Sequence, residues 1–115
     1  MNDNQKIAEW LGWKTNSYGY FNPPDLHPMM NALHNYEVPN YKTSNADAIS
    51  LLPVLVERGW NVCLRNVDIP ERTKWEFGAY KEDSEYLEIE SLQLKPTIAQ
   101  AISSAVLELI EKEKV

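Results

Sequence analysis

The chain has one cysteine, Cys63, so no internal disulfide can form, which fits a reducing cytosol. Its four glycines, Gly12, Gly19, Gly59 and Gly78, are widely scattered, and none builds a glycine-rich loop that could cradle a phosphate. Lysine and arginine together number eleven against seventeen acids, for a formal net charge of −6. They form no basic run, which argues against a general binder of nucleic-acid backbone, since that needs a basic stripe. No apolar stretch approaches the roughly 20 residues that span a bilayer. The opening "MNDNQKIAEW" lacks the basic region and apolar run of a signal peptide. A soluble, cytosolic protein with neither nucleic acid nor membrane as partner is expected.

What is present suits one domain. The length is 115 residues, and a hydrophobic fraction of 43% beside 24% charged residues makes one compact core feasible. Four tryptophans and six tyrosines are many for this length. They supply large buried areas, or a binding face where they reach the surface.

Local patterns predict the elements. Asn2 or Asp3 can cap a short helix carrying Ile7, Ala8, Trp10 and Leu11, and Gly12 can close it in left-handed geometry. "TNS" before "YGYF" predicts a turn between two short extended pieces, after which Pro23, Pro24 and Pro28 forbid a continuous strand. Residues 22–40 are expected to be mostly irregular, with one helical turn starting at Pro28. In "VPNYKTSNADAISLL", Ser44 and Asp47 match a capping box with Asp in the usual Glu place. Ala48, Ile49, Leu52, Leu55 and Val56 then follow at helical spacing up to Gly59. Pro53 removes a hydrogen bond and crowds the Ile49 carbonyl at a cost of about 3 kcal/mol. A helix over 45–58, bent before Pro53, is predicted.

Three alternating runs come next. In "WNVCLRNV", Val62 and Leu64 oppose Cys63 and Arg65. In "TKWEFGAYK", Trp75, Phe77 and Ala79 oppose Lys74, Glu76 and Tyr80. In "EYLEIES", Leu87 and Ile89 face in while Tyr86, Glu88 and Glu90 face out. Short connections favour an antiparallel meander. Pro96 suits the first turn of a closing helix over 96–112, whose stripe is Ile98, Ala101, Ile102, Ala105, Val106, Leu109 and Ile110. The fold class expected is α+β: a small antiparallel sheet of three to four strands, with the 45–58 and 96–112 helices packed against it. The first helix and the middle loop would cover an edge or the opposite face.

Chemistry is sparse. Glu82, Asp83, Glu85, Glu88 and Glu90 cluster, but charge runs are usually solvation. Asp25, His27 and His34 share a loop without a standard zinc spacing, so no metal is expected. Cys63, alone in a strand, is expected to be a small buried apolar residue. Ser103 and Ser104 are ordinary helical positions. Neither enzyme activity nor a cofactor is expected. The aromatics Trp10, Trp13, Tyr18, Tyr20 and Phe21, with Tyr36 and Tyr41, either fill and roof the core or present a binding face. A ligand or partner site, if built, is expected where Tyr18, Tyr20 and Tyr41 approach Lys42, Thr43 and Ser44. Helix-start amides there can hold an anion, and Lys42 adds a positive charge.

Four stretches together resemble the phage alpha-beta-alpha sandwich domain, a family of small phage and prophage proteins. "IAEWLGWK" (7–14) is similar to its opening helix and following tryptophan. "VPNYKTSNADAISLL" (38–52) resembles its Pro-x-Tyr, hydroxyl turn and alanine-rich helix, with Ser44 where the family usually has Asp and Pro53 where it tends to have an acid. "ERGW" (57–60) resembles the end of that helix, and "KPTIAQAISSAVL" (95–107) its closing helix. The resemblance implies a single domain over 1–115, a sheet sandwiched by helices and a phage or prophage origin, hence the host cytoplasm. It implies no catalytic residues. The function expected is that of an accessory protein acting by binding, an inhibitor of a host protein or defence system. A small-molecule sponge for a nucleotide signal is the alternative, with enzyme last. A host or phage protein is the partner expected, a small molecule the alternative, and a homodimer through the last helix or a sheet edge would add core.

Overall fold

In a computed structural model, which describes residues 1–24, 36–69, 72–83 and 86–112, Asn2 starts the first helix, α1 (Asp3–Trp10), with two reciprocal bonds. Its side-chain oxygen accepts from Gln5 N at 2.8 Å, and Gln5 Oε1 accepts from Asn2 N at 2.9 Å. This capping box selects Asn2 over Asp3 as the cap. Gly12, at φ +102°, turns the chain out of the helix in a region open to glycine. Two short antiparallel strands follow, β1 (Lys14–Thr15) and β2 (Phe21–Asn22), with Thr15 opposite Phe21. Asn16 organises the turn between them. Its Oδ1 accepts from Tyr18 N at 2.9 Å and Tyr20 N at 3.0 Å, and its Nδ2 donates to buried Asn22 Oδ1 at 2.9 Å. Two extended pieces joined by a turn are present as expected, but the turn runs over Asn16–Tyr20 and not over "TNS", so Thr15 is in β1, Tyr18 and Gly19 are in the turn, and β2 extends to Asn22. The expected helical turn at Pro28 lies outside the described residues.

The chain divides into two compact units, Met1–Pro39 and Asn40–Val115. In the second, the predicted bend is a break. Helix α2 (Asn45–Ile49) ends at Ser50, and α3 (Leu52–Glu57) restarts with Pro53 in its first turn. A proline there has no intrahelical bond to lose. The turn between keeps its backbone paired: Ser50 N reaches Ala46 O at 3.2 Å and Leu51 N reaches Ala48 O at 3.0 Å. Gly59, at φ +88°, ends α3. The last helix, α4 (Ile98–Glu111), is capped by Thr97 Oγ1, which accepts from Gln100 N at 3.1 Å. Pro96 therefore precedes the cap and does not sit in the first turn. Asn45 Oδ1 accepts a second helix-start amide, Ala99 N, at 3.0 Å, tying α2 to α4.

The sheet is a three-stranded antiparallel meander of β3 (Asn61–Ile69), β4 (Arg72–Asp83) and β5 (Tyr86–Lys95), in the order β3-β4-β5. Leu64 pairs with Phe77 and Phe77 with Gln93; Val62 pairs with Ala79 and Ala79 with Ser91. These residues form one face. The other runs Cys63–Gly78–Leu92 and Arg65–Glu76–Leu94. The register slips between Ala79 and Tyr80, so Tyr80 pairs with Ile89. The expected alternation of Leu87 and Ile89 with Tyr86, Glu88 and Glu90 concerns side chains outside those described.

The core of this unit is built from Phe77 and Ala79 of the sheet, Ala48, Leu51 and Leu55 of the broken helix, and Ala101, Ile102, Ala105, Val106 and Leu109 of α4, all fully buried. Helix α4 packs on β4, β5 and α2. Burial on two sides widens its apolar arc beyond the predicted stripe, to Ala99 and even Ser103. The architecture is α+β, an antiparallel sheet packed with helices. Among the described residues no helix is long and apolar enough to cross a membrane.

Candidate functional site

The six residues expected to form a site have distinct surroundings. Tyr18 and Tyr20 belong to the first unit, Tyr41, Lys42, Thr43 and Ser44 to the second. Tyr18, on the hairpin turn, is 72% exposed, and Tyr20 is half-buried. Tyr41 is only 3% exposed and belongs to the core. Burial, and next the nearby Asp47 carboxylate, push its phenol above the usual range. Lys42 and Thr43 are exposed in the turn before α2, which Ser44 N closes on Asn40 O at 2.9 Å.

Ser44 does cap α2, its Oγ accepting from Asp47 N at 3.3 Å. The Asp47 carboxylate departs from the capping-box pattern and accepts from Asn40 N at 3.0 Å. A carboxylate thus stands in the first turn of this five-residue helix, where a bound anion would have to be. The stretch is first of all a cap.

Cys63 is exposed, against expectation. It lies on an edge strand opposite Gly78, and glycine offers no side chain to cover it. The same sheet face exposes Leu92 (57%) and Leu94 (42%). Leu92 leans across Gly78, where an added Cβ would stand 3.5 Å from Leu92 Cδ1. The strip is bounded by a forked ion pair, Arg65 Nε to Glu76 Oε1 at 2.7 Å and Arg65 Nη2 to Glu76 Oε2 at 3.2 Å.

On the opposite face lies a polar cluster the sequence did not reveal. Glu108 Oε2 accepts from buried Ser91 Oγ at 3.2 Å and from Gln93 Nε2, and its Oε1 accepts from Lys112 Nζ at 2.7 Å. The Lys112 hydrogen bond holds the Glu108 carboxyl below its usual range; partial burial opposes this, and Ser91 and Gln93 assist. Each of these groups is bonded to another, a structural arrangement.

The first unit carries open clefts. One, of about 460 Å³, is lined by Met1, Gln5 and Glu9 from one side of α1 and its cap, and by Trp13, Lys14, Thr15 and Phe21. The Trp13 and Phe21 rings lie 5.4 Å apart at their centroids, tilted by 42°. None of the six expected residues lines it. The four-residue spacing of Gln5 and Glu9 on α1 was the available signal. Another cleft, of about 490 Å³, lies among Gly12, Lys14, Thr15, Asn16, Asn22, Pro23 and Pro24.

Among the described residues no group of three or more histidines, cysteines or acids could hold a metal ion. Asp25, His27 and His34 lie outside them. No family model, no curated protein and no solved structure matches the chain.

Proposed function

We propose that this is a small phage or prophage accessory protein that works by binding a host protein, blocking that protein or a defence system it serves. The observation that carries the reading is the uncovered sheet face of the second unit, where Leu92 and Leu94 stand beside Gly78 and Cys63 within a charged border. Leucines held out of the core on a sheet face, beside the Arg65–Glu76 ion pair, are the composition of a protein-docking surface. The net charge of −6 favours a basic partner surface and speeds encounter with it.

The experiment is capture of a host protein, its identification, and titration of the purified pair. The double variant Leu92→Lys, Leu94→Lys should weaken the complex at least about tenfold, since each leucine buried in an interface contributes roughly 1.5–3 kcal/mol. Its unfolding midpoint should hardly move, because both side chains are already exposed. Undiminished binding of the purified partner by the double variant would remove the reading.

A further inference from the structure

We propose that the 460 Å³ cleft of the first unit binds a small aromatic zwitterion, of the chemical class of the free aromatic amino acids. The proposal is independent of the sheet face. The volume lies within the range of small-molecule sites. Trp13 and Phe21 form an apolar wall on which a flat ring can stack, and both are only half-buried. Polar groups at the cleft come from α1 and the hairpin. Gln5 Oε1 is taken by Asn2 N, which leaves the Gln5 amide NH2 as a donor. Glu9 supplies a carboxylate, Lys14 an ammonium and Thr15 a hydroxyl. Neither Glu9 nor Lys14 is in an ion pair among the described residues.

Charge selects the ligand. Among the side chains at the cleft, one carboxylate and one ammonium sum to zero. A nucleoside polyphosphate would set several negative charges against a single lysine and beside a repelling acid. An aromatic amine would satisfy Glu9 and leave Lys14 repelling it; an aromatic acid would do the reverse. A ligand bearing both charges matches both groups, and its ammonium gains further from the aromatic wall. Lys14 also borders the neighbouring 490 Å³ cleft, so its part has to be tested separately from that of Glu9.

The test is calorimetric titration of the full chain with L-tryptophan, tryptamine, indole-3-acetate and adenosine monophosphate. L-tryptophan should bind with a Kd on the order of 0.1–1 mM, as an open site of this kind allows. Tryptamine and indole-3-acetate, each lacking one charge, should bind about tenfold more weakly. Glu9→Gln should weaken L-tryptophan and tryptamine about tenfold and leave indole-3-acetate bound at least as tightly, since a repelling acid is gone. Lys14→Gln should weaken L-tryptophan and indole-3-acetate and leave tryptamine bound at least as tightly. Both positions are exposed, so thermal melting of each variant should match the parent. Absence of binding by all three indoles at about ten times the expected Kd would overturn the proposal. So would equal affinity for the three, tighter binding of the nucleotide, or variants without effect.

Discussion

Replacing Glu108 by alanine removes an acceptor shared by three donors: Ser91 Oγ, Gln93 Nε2 and Lys112 Nζ. The consequences differ by donor. Lys112 is substantially exposed and regains water, so its i,i+4 pair is worth at most about 0.5 kcal/mol. Ser91 is 2% exposed and cannot turn to solvent. A buried donor left without an acceptor costs about 1–3 kcal/mol. Glu108→Ala should therefore cost about 1.5–3 kcal/mol, Lys112→Ala about 0.5 kcal/mol or less, and Glu108→Gln, which keeps an acceptor oxygen, about 0.5–1 kcal/mol. Urea unfolding followed by tryptophan fluorescence measures all three. The pH dependence has a definite sign. The folded-state carboxyl titrates below its unfolded value, so its contribution is complete above an unfolded pKa of about 4.3 and is lost as pH falls through the folded one. The gap between parent and Glu108→Ala should narrow below that pH, and Glu108→Gln should approach the parent there. The reasoning fails if Glu108→Ala lies within about 0.5 kcal/mol of the parent at neutral pH, or if glutamine costs as much as alanine.

Pro53→Ala distinguishes a broken helix from a bent one. A proline relieved from a helix interior should stabilise by about 3 kcal/mol, whereas removal from a first turn should lower stability by about 0.5 kcal/mol through the unfolded chain; the urea midpoint should fall slightly. Tyr41 should ionise above the ordinary phenol range in an absorbance titration of the phenolate band, because its phenol is raised by burial and by Asp47. Since the folded value exceeds the unfolded one, that contribution is complete below the unfolded pKa and lost as pH rises through the folded one. Tyr41→Phe should accordingly flatten the alkaline limb of stability, and an unchanged limb would refute the assignment.

The parts legible in the sequence are those decided within a few residues. Asn2 with Gln5, and Ser44 with Asp47, signal helix starts because a cap needs only one short polar side chain and an amide three residues on. The alternations in β3 and β4 placed Phe77 and Ala79 inward correctly, since a strand's period is two wherever the ladder is regular. Pro53 announced a disturbance. Whether it bends or breaks the helix depended on Ser50 and Leu51 finding turn bonds, which its own side chain does not encode. Cys63 is exposed because its cross-strand neighbour is Gly78, fifteen residues on, a pairing no local pattern contains. The register slip at Ala79/Tyr80 likewise stops alternation in β5 from being carried past Glu90. The aromatic surplus in the first quarter was visible. That Trp13 and Phe21 would meet across a hairpin, beside the Gln5–Glu9 side of α1, required the pairing of β1 with β2.

The C-terminal half of β5 presents Ser91 and Gln93 to the helix-covered face and Leu92 and Leu94 to the open one, the reverse of what apolar burial alone would select. A slip of one residue against β4 would exchange the two pairs. It would bury both leucines, worth about 1.5–3 kcal/mol each if burial were complete. It would also take Ser91 and Gln93 away from Glu108, leaving a partly buried carboxylate with Lys112 as its partner. The observed register keeps that cluster and leaves the leucines outside. Hydrogen bonds to a charged group are worth about 1.5–3 kcal/mol, so the exchange is near balance within this chain. Any partner that covers Leu92 and Leu94 then tips it, gaining apolar contact without disturbing the core. For the docking proposed above, Ser91→Val, which weakens the inward anchor, should loosen β5 and reduce affinity for the proposed partner even though Ser91 lies on the opposite face of the sheet.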